Sequence, residues 1–309
     1  MKNLLYTRRR PSFRKIFGWV LAAVSALLVL LQVVYYAVLL PYGIEYVYDG
    51  MPFFLNGVIL VSISFSLFCF FFPKKRVLLA ILSGFLLLFM INLIFFFLLG
   101  TSHRTEVRFS PDAGHQLIVK QEKETGNTRI YRNPILWVLA KPGDEFPYPA
   151  YGDMKFQWIT SDICTITYRS KNDEIHQYTR TYGERGNGIS YFYELNAIRG
   201  TWNNTDEGQP APPLEADAYG ITLTSSDGTK RLSFSSENCV QFGTTSLTLC
   251  TKDGIPLYSL SLGENCTLDQ NDTILPGGSL LLCPVSMEET ESFVYERTGG
   301  GAGDFETSN

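Results

Sequence analysis

The string of residues best equipped for chemistry is 182–188, Tyr-Gly-Glu-Arg-Gly-Asn-Gly. Three glycines permit backbone paths closed to other residues, and Glu184 and Arg185 would present opposite charges to a ligand. The sequence favours a plainer interpretation, a tight surface loop between two Tyr-rich strands. The pattern therefore marks Glu184 and Arg185 as candidates without assigning them a role.

Aromatic residues follow this loop closely. On a strand, Tyr191 and Tyr193 would share one face, because side chains alternate with a period of two. Phe192 and Trp202 lie close by in the sequence. If the Tyr191–Tyr193 pair is exposed, it could bind a sugar or a peptide; if it is buried, it belongs to the core. Burial is the prediction.

Catalytic and metal-binding motifs are not found in the sequence. The three histidines, His103, His115 and His176, lie in no metal-ligand or nucleophile motif. An envelope hydrolase would need paired carboxylates or a nucleophile beside a base, and nothing in the spacing selects Glu184 or Asp162 for that work. We predict no catalytic residue, no cofactor and no metal site.

Five cysteines follow the hydrophobic part of the chain: Cys164, Cys239, Cys250, Cys266 and Cys283. Four of them fall close enough in sequence to form one or two disulfides, for which three pairings exist. The alternative is that they are small buried apolar residues, which suits the alternating segment around Cys164. The sequence argues against a zinc site, because no Cys-x-x-Cys pair occurs and no His lies near the last four cysteines.

Three hydrophobic segments near the N-terminus are predicted to cross the membrane and to anchor the rest of the chain. They cover 16–40, 53–72 and 77–99, each near the 20 or so residues that cross a bilayer core of about 30 Å. None contains Asp, Glu, Lys, Arg or His. Their amides, Gln32, Asn56 and Asn92, are predicted to hydrogen-bond between helices. Without ionisable residues, the segments are better suited to an anchor than to a transporter.

Basic residues set the expected orientation. Residues 1–15 carry six Lys or Arg and no acid, and Lys74, Lys75 and Arg76 separate the last two segments. Because short cytoplasmic segments retain positive charge, both places belong inside the cell. Three crossings then put everything after residue 100 outside. A cleaved signal peptide is the alternative for 16–40, but that stretch exceeds a typical apolar h-region.

The remaining two hundred residues have the composition and alternation of an all-β domain. We predict one β subdomain over 101–205, an acidic Pro-rich linker over 206–218, a second β subdomain over 219–298, and a disordered tail over 299–309. Strands are expected at 116–121, 128–131, 162–168, 175–182, 189–195, 219–224, 230–235, 245–250, 256–262, 279–283 and 292–296. Sandwich- or barrel-like packing is favoured over a propeller.

Taken together, these features predict a multi-pass protein of the cell membrane with a cytoplasmic N-terminus and an extracytoplasmic, non-enzymatic domain that binds or senses an unidentified ligand. Its partners would be the lipid bilayer and a membrane protein or a second copy. Its acidic soluble part makes nucleic acid a poor partner. The alternatives are an envelope hydrolase and an accessory subunit of a transporter.

Overall fold

Three long apolar helices open the fold. The computed structural model describes residues 13–71, 75–135, 137–183, 185, 192–205, 211–225, 228–269 and 272–299. The helices are α1 Phe13–Val34, α2 Met51–Phe71 and α3 Lys75–Leu99. By length and composition all three can cross a membrane, which confirms the predicted segments. The predicted basic N-terminus and the 72–74 connection lie outside the described residues, except for Phe13 to Lys15.

The first helix changes its winding near its end. Tyr35–Leu39 is a π-helix, and Leu40–Tyr42 is a short 3₁₀ turn that ends at Gly43 with a φ of 71°. Glycine reaches this left-handed conformation without steric cost, so it ends the helix cleanly. Sequence periodicity predicts one continuous helix here and does not show the π-helical segment.

The chain divides into two compact units. The first contains Met1–Glu106, Ile118–Thr125 and Arg129–Glu145. It holds the three helices and most of a five-stranded sheet of order β1-β5-β4-β3-β2. The strands are β1 Glu45–Tyr46, β2 His103–Phe109, β3 Gln116–Glu122, β4 Thr128–Ile135 and β5 Leu139–Glu145.

The second unit contains Val107–Leu117, Gly126–Thr128 and Phe146–Asn309. It carries a three-stranded sheet, β6 Tyr151–Thr160, β7 Ile163–Arg169 and β8 Ile175–Thr181, and a short helix, α4 Glu194–Ala197. Nine further strands form one sheet of order β12-β11-β10-β9-β17-β16-β15-β14-β13. They are β9 Gly200–Asn204, β10 Leu214–Ala216, β11 Gly220–Thr224, β12 Arg231–Ser235, β13 Cys239–Phe242, β14 Ser246–Cys250, β15 Pro256–Leu262, β16 Ser279–Pro284 and β17 Phe293–Gly299.

The nine-stranded sheet curls into a nearly closed barrel around one apolar cluster. Leu247 pairs with Leu260 and Leu249 with Tyr258, so alternate residues of neighbouring strands enter the same interior. Trp202 belongs to this cluster and is fully buried, with its indole N–H donating to the Ile198 carbonyl at 2.7 Å. The predicted barrel-like packing is confirmed at this coarse level.

The outward face of β14 and β15 is polar and yet buried. Ser246, Thr248, Ser259 and Ser261 all lie on it, and β8 packs there. Gln177 of β8 accepts hydrogen bonds from the hydroxyls of Ser259 and Thr248. The three-stranded sheet is therefore joined to the barrel by hydroxyl and amide groups, a contact we call the hydroxyl joint.

Several expected elements differ. The strand predicted at 189–195 is wrong where the structure describes it, because Glu194–Ala197 is a helical turn whose Glu, Leu and Ala favour helix. The sequence does not predict strands β1, β2, β5, β6, β9, β10 and β13. Leu214 and Ala216 of the predicted linker point into the barrel as part of β10. The predicted domain boundaries stay predictions, and the tail after residue 299 lies outside the described residues.

Candidate functional site

The three amides of the apolar helices meet at one cavity. Gln32 of α1, Asn56 of α2 and Asn92 of α3 all line an open space of about 700 Å³ between the helices. The sequence predicts polar contacts between these helices. It does not predict that all three amides reach the same space, because that depends on how each helix is rotated.

Two of these amides fasten the first turn of α2. The Gln32 side-chain amide donates to the Pro52 carbonyl at 3.2 Å, and the Asn92 side-chain amide donates to the Phe53 carbonyl at 2.9 Å. These bonds confirm the predicted interhelical role of Gln32 and Asn92. Each is of the kind worth about 1 kcal/mol between apolar helices.

The other end of the Gln32 amide is unsatisfied. The residue is 6% exposed, and its Oε1 has no hydrogen-bond partner. The hydrogen bond from Nε2 to the Pro52 carbonyl fixes the orientation of the Gln32 amide. If the amide were flipped, its Oε1 would face the Pro52 carbonyl oxygen, and neither atom could donate a hydrogen bond. A buried acceptor without a donor lowers the stability of the folded protein by about 1–3 kcal/mol. Apolar neighbours cannot supply the missing hydrogen bond.

The π-helical segment forms part of the same wall. Tyr36 and Ala37 line the cavity, one turn beyond Gln32. A π-helix widens the hydrogen-bond ring by one residue and disturbs the helix register, and such segments concentrate at functional sites. This feature is missed by sequence analysis, since the residues 35–39 carry no proline or other breaker.

The cavity occupies only one end of the helix bundle. Its lining residues cover 29–37, 53–60 and 88–95, about 10–12 Å along each axis. At the other end, α1 and α2 touch closely: the Ser66 hydroxyl donates to the Gly18 carbonyl at 2.9 Å, and a Cβ on Gly18 would lie 3.0 Å from that of Cys69. These contacts hold α1 against α2 beyond the cavity, and the cavity's lining residues all lie at one end of the helices.

A charged cluster lies in the first unit beside the start of α2. The Lys120 ammonium donates to the Tyr46 carbonyl at 2.7 Å and to Asp49 Oδ1 at 2.8 Å. Asp49 Oδ2 contacts His103 Nδ1 at 2.5 Å. The Lys120 side chain is only 3% exposed, so Asp49 neutralises a buried charge. His103, one of the three histidines considered from sequence, is thus engaged in a structural contact.

Asp162 and Arg185 come together although 23 residues separate them. Two guanidinium nitrogens of Arg185 donate to the two Asp162 oxygens at 2.5 and 2.9 Å, and Arg185 also donates to the Gly263 carbonyl at 2.8 Å. Burial by itself would raise the pKa of Asp162, but the hydrogen bonds from Arg185 and Thr160 outweigh it and hold that pKa below its usual range. Glu184 lies outside the described residues.

Glu194, which the sequence did not single out, is completely buried. Neither carboxyl oxygen has a hydrogen-bond partner. Burial raises the pKa of Glu194 well above its usual range, and the positive charge of Arg185 opposes this only in part. The shift favours the protonated, neutral form of this carboxyl group in the folded protein.

The remaining sequence candidates lie apart. The prediction that Tyr193 is buried is wrong, because Tyr193 precedes the helical turn Glu194–Ala197 and is 66% exposed, whereas Phe192 and Trp202 are buried. Tyr191 is outside the described residues. His115 stacks on Tyr182 with ring centres 4.7 Å apart. His176 stacks on Tyr148 at 4.2 Å, and burial lowers its pKa. In the part of the chain that the structure describes, no three His, Cys, Asp or Glu are grouped to hold a metal ion.

All six cysteines lie within the described residues and are free thiols. Cys239 is half-buried and the other five are buried. Burial raises the pKa of Cys164 to about 12 and that of Cys239 and Cys266 to about 11. Of the two interpretations of the sequence, the structure has these residues as small buried side chains rather than disulfides.

No family model, no curated protein and no solved structure matches this chain. The candidate site is therefore defined by geometry alone: an open cavity between apolar helices, three amides on its wall, and one unsatisfied acceptor.

Proposed function

We propose that this chain is a membrane-anchored, non-enzymatic binding protein of the cell envelope. The three helices cross the membrane with the N-terminus inside, and the β-rich part lies outside. The membrane-spanning helices receive another component of the membrane, and the extracytoplasmic part binds or senses at the envelope.

The observation that carries the proposal is the open cavity between the helices, on whose wall the amide residues Gln32, Asn56 and Asn92 lie. Within hydrocarbon, water is not at hand to bond to polar groups, so the helices gain stability when an occupant bonds to the amide groups that the cavity exposes. Polar groups kept inside membrane helices commonly mark a site of binding or transport. None of the residues lining the cavity is ionisable apart from Tyr36, which favours binding over proton or ion movement.

The proposal that the protein is not an enzyme rests on the ion pairs that the charged candidate residues form with one another. Asp162 and Arg185 neutralise each other, and Asp49 is shared by Lys120 and His103. Glu194 is completely buried. An active site needs such groups to converge on a space that admits substrate.

Co-purification of full-length protein from a gentle detergent tests the proposal. Wild type and the double variant Gln32→Leu, Asn56→Leu would be compared, with Ser64→Ala as the matched control because its hydroxyl bonds only within α2. We expect a protein or lipid to be retained by wild type and control and depleted severalfold from the double variant. Equal retention by all three would refute the proposal.

An accessory subunit of a transporter is the second candidate. No residue in the most apolar window of α3 is buried, so the side of that helix turned away from α2 is available for other helices. This candidate predicts a multi-span protein among the retained components, whereas the primary proposal does not require one.

Sidedness has its own test. Tyr219 is 83% exposed on the barrel, and Arg14 lies at the start of α1. We expect an impermeant maleimide to label Tyr219→Cys in intact cells and Arg14→Cys only after permeabilisation. The reverse pattern would contradict the proposed orientation.

A further inference from the structure

We infer that one end of the barrel in the second unit binds a small amphipathic anion, an apolar body that carries one carboxylate or phosphate group. This inference rests on the proposed function in one respect, since it names the class of ligand that the β-rich part binds. It uses none of the residues that line the cavity between the helices, so the two sites can be tested separately.

The site lies where the interior of the barrel meets solvent. Leu223 of β11 pairs with Leu232 of β12, and Ile221 pairs with Phe234 two residues further along both strands. Because alternate residues of a strand share a face, all four side chains belong to the interior face of the barrel. Leu232 is 39% exposed whereas Phe234 is 2% exposed, so the interior opens at the Leu223–Leu232 pair.

A pocket of about 730 Å³ occupies this opening, and we call it the mouth pocket. Its volume lies within the range of small-molecule sites, roughly 300–1,000 Å³, and the mouths of β-barrels are among the places where such sites occur. Its apolar wall is formed by Pro212, Leu223, Leu232 and the ring of Tyr258. An apolar body placed there would remove the exposed part of Leu232 from water, which is favourable.

Two cations lie on the same wall. Lys230 and Arg231 both line the mouth pocket, and both side chains are exposed. Within the described part of the chain, neither side chain forms an ion pair, and no Asp or Glu lines the pocket. The planar guanidinium of Arg231 can donate two parallel hydrogen bonds to an oxyanion, and Lys230 adds a second positive charge.

The charge of the mouth pocket contrasts with that of its surroundings. The chain after residue 100 has more acidic than basic residues, and yet the described lining of this pocket carries only positive charge. A neutral ligand of the same shape would leave both cations unpaired, and a cationic ligand would be repelled by them. The pocket therefore selects a molecule that combines an apolar body with a negative group.

Two matched photoreactive probes test the inference with full-length protein in phosphatidylcholine nanodiscs. The first is 4-benzoylbenzoate, which joins a carboxylate to an apolar benzophenone, and the second is the corresponding uncharged carboxamide. Sites of labelling would be mapped by peptide mass spectrometry. In wild type, we expect the carboxylate to label peptides covering 211–225 and 228–232 about two- to thirtyfold more than the carboxamide, the range that two solvent-exposed ion pairs supply.

The double variant Lys230→Gln, Arg231→Gln removes both charges, and it should make the two probes equivalent. Lys171→Gln, Lys252→Gln is the matched control, because it removes the same net charge from exposed turns of the same unit. The control should keep the wild-type preference.

The inference is overturned if wild type labels these peptides equally with both probes, or if the Lys230, Arg231 variant keeps the preference. It is also overturned if the control loses the preference, since the overall charge of the unit would then explain the labelling. Gln32→Leu, Asn56→Leu should leave this labelling unchanged, so failure at the mouth pocket would not remove the binding proposed for the helices.

Discussion

Replacing Glu194 should stabilise the protein, and it should do so increasingly as the pH rises. Both carboxyl oxygens are buried without a partner. Because an unpaired buried polar group costs about 1–3 kcal/mol, Glu194→Met, which is apolar and of similar length, should gain about that much. For a unit of this size the gain corresponds to a rise in Tm of roughly 2–12 °C.

The pH dependence follows from the direction of the pKa shift. Burial raises the pKa of Glu194 in the folded protein above the value of 4.5 that it has when exposed. Between these two values the folded state holds a proton that the unfolded state releases, so stability falls as the pH rises through the window. The loss is about 1.4 kcal/mol for each pH unit until the folded-state pKa is reached. Glu194→Gln, which does not titrate, should lack this loss.

Thermal unfolding of the full-length protein in detergent, at pH values from 5 to 8, measures both effects. Trp202 is a suitable fluorescence reporter, since it is fully buried and hydrogen-bonded to Ile198 at the end of α4. Glu215→Gln is the matched control, because Glu215 is an exposed glutamate on β10, next to the strand that carries Trp202. The reasoning fails if Glu194→Gln keeps the wild-type pH slope relative to this control, or if Glu194→Met lowers the Tm.

Three further predictions concern other parts of the molecule. Asp49→Asn should cost about 3–5 kcal/mol by leaving the buried Lys120 charge without a counter-ion, and adding Lys120→Met should restore most of the Tm; no recovery would contradict this. Gly220→Ala should lower the Tm by more than the equivalent of about 1 kcal/mol, because φ is +153° and a Cβ would lie 1.9 Å from the Phe234 carbonyl oxygen; an unchanged Tm would refute the clash. Burial raises the pKa of Cys239 to about 11. At pH 8 this thiol should therefore react with maleimide at least about a hundredfold more slowly than a solvent-exposed cysteine, and unfolding should abolish the difference.

The helices could be predicted from sequence because transfer into lipid depends on local composition. A run of about 20 apolar residues is sufficient evidence, and α1, α2 and α3 all follow from it. Strands β14 and β15 were also predictable, since the Asp253-Gly254 turn lies between two alternating segments and Gly254 has a φ of +79°.

The site required information that local patterns do not contain. The amides Gln32, Asn56 and Asn92 stand out in apolar segments, but their meeting at one cavity depends on helix rotation and on the π-helical segment. From the sequence, Glu194 is an ordinary residue of the strand predicted at 189–195, with nothing to indicate burial. Its burial results from packing between segments far apart in sequence, as does the pairing of Asp162 with Arg185.

The hydroxyl joint determines what would happen if the three-stranded sheet lifted away from the barrel. Ser246, Thr248, Ser259 and Ser261 would meet water, which can replace every hydrogen bond that Gln177 and its neighbours supply. The hydroxyl joint therefore opposes separation less strongly than an apolar contact of the same size would, because exposing polar groups to water costs little free energy. What holds the two sheets together more firmly are the ring contact of Tyr178 with Phe242 and the hydrogen bond of Arg185 to the Gly263 carbonyl.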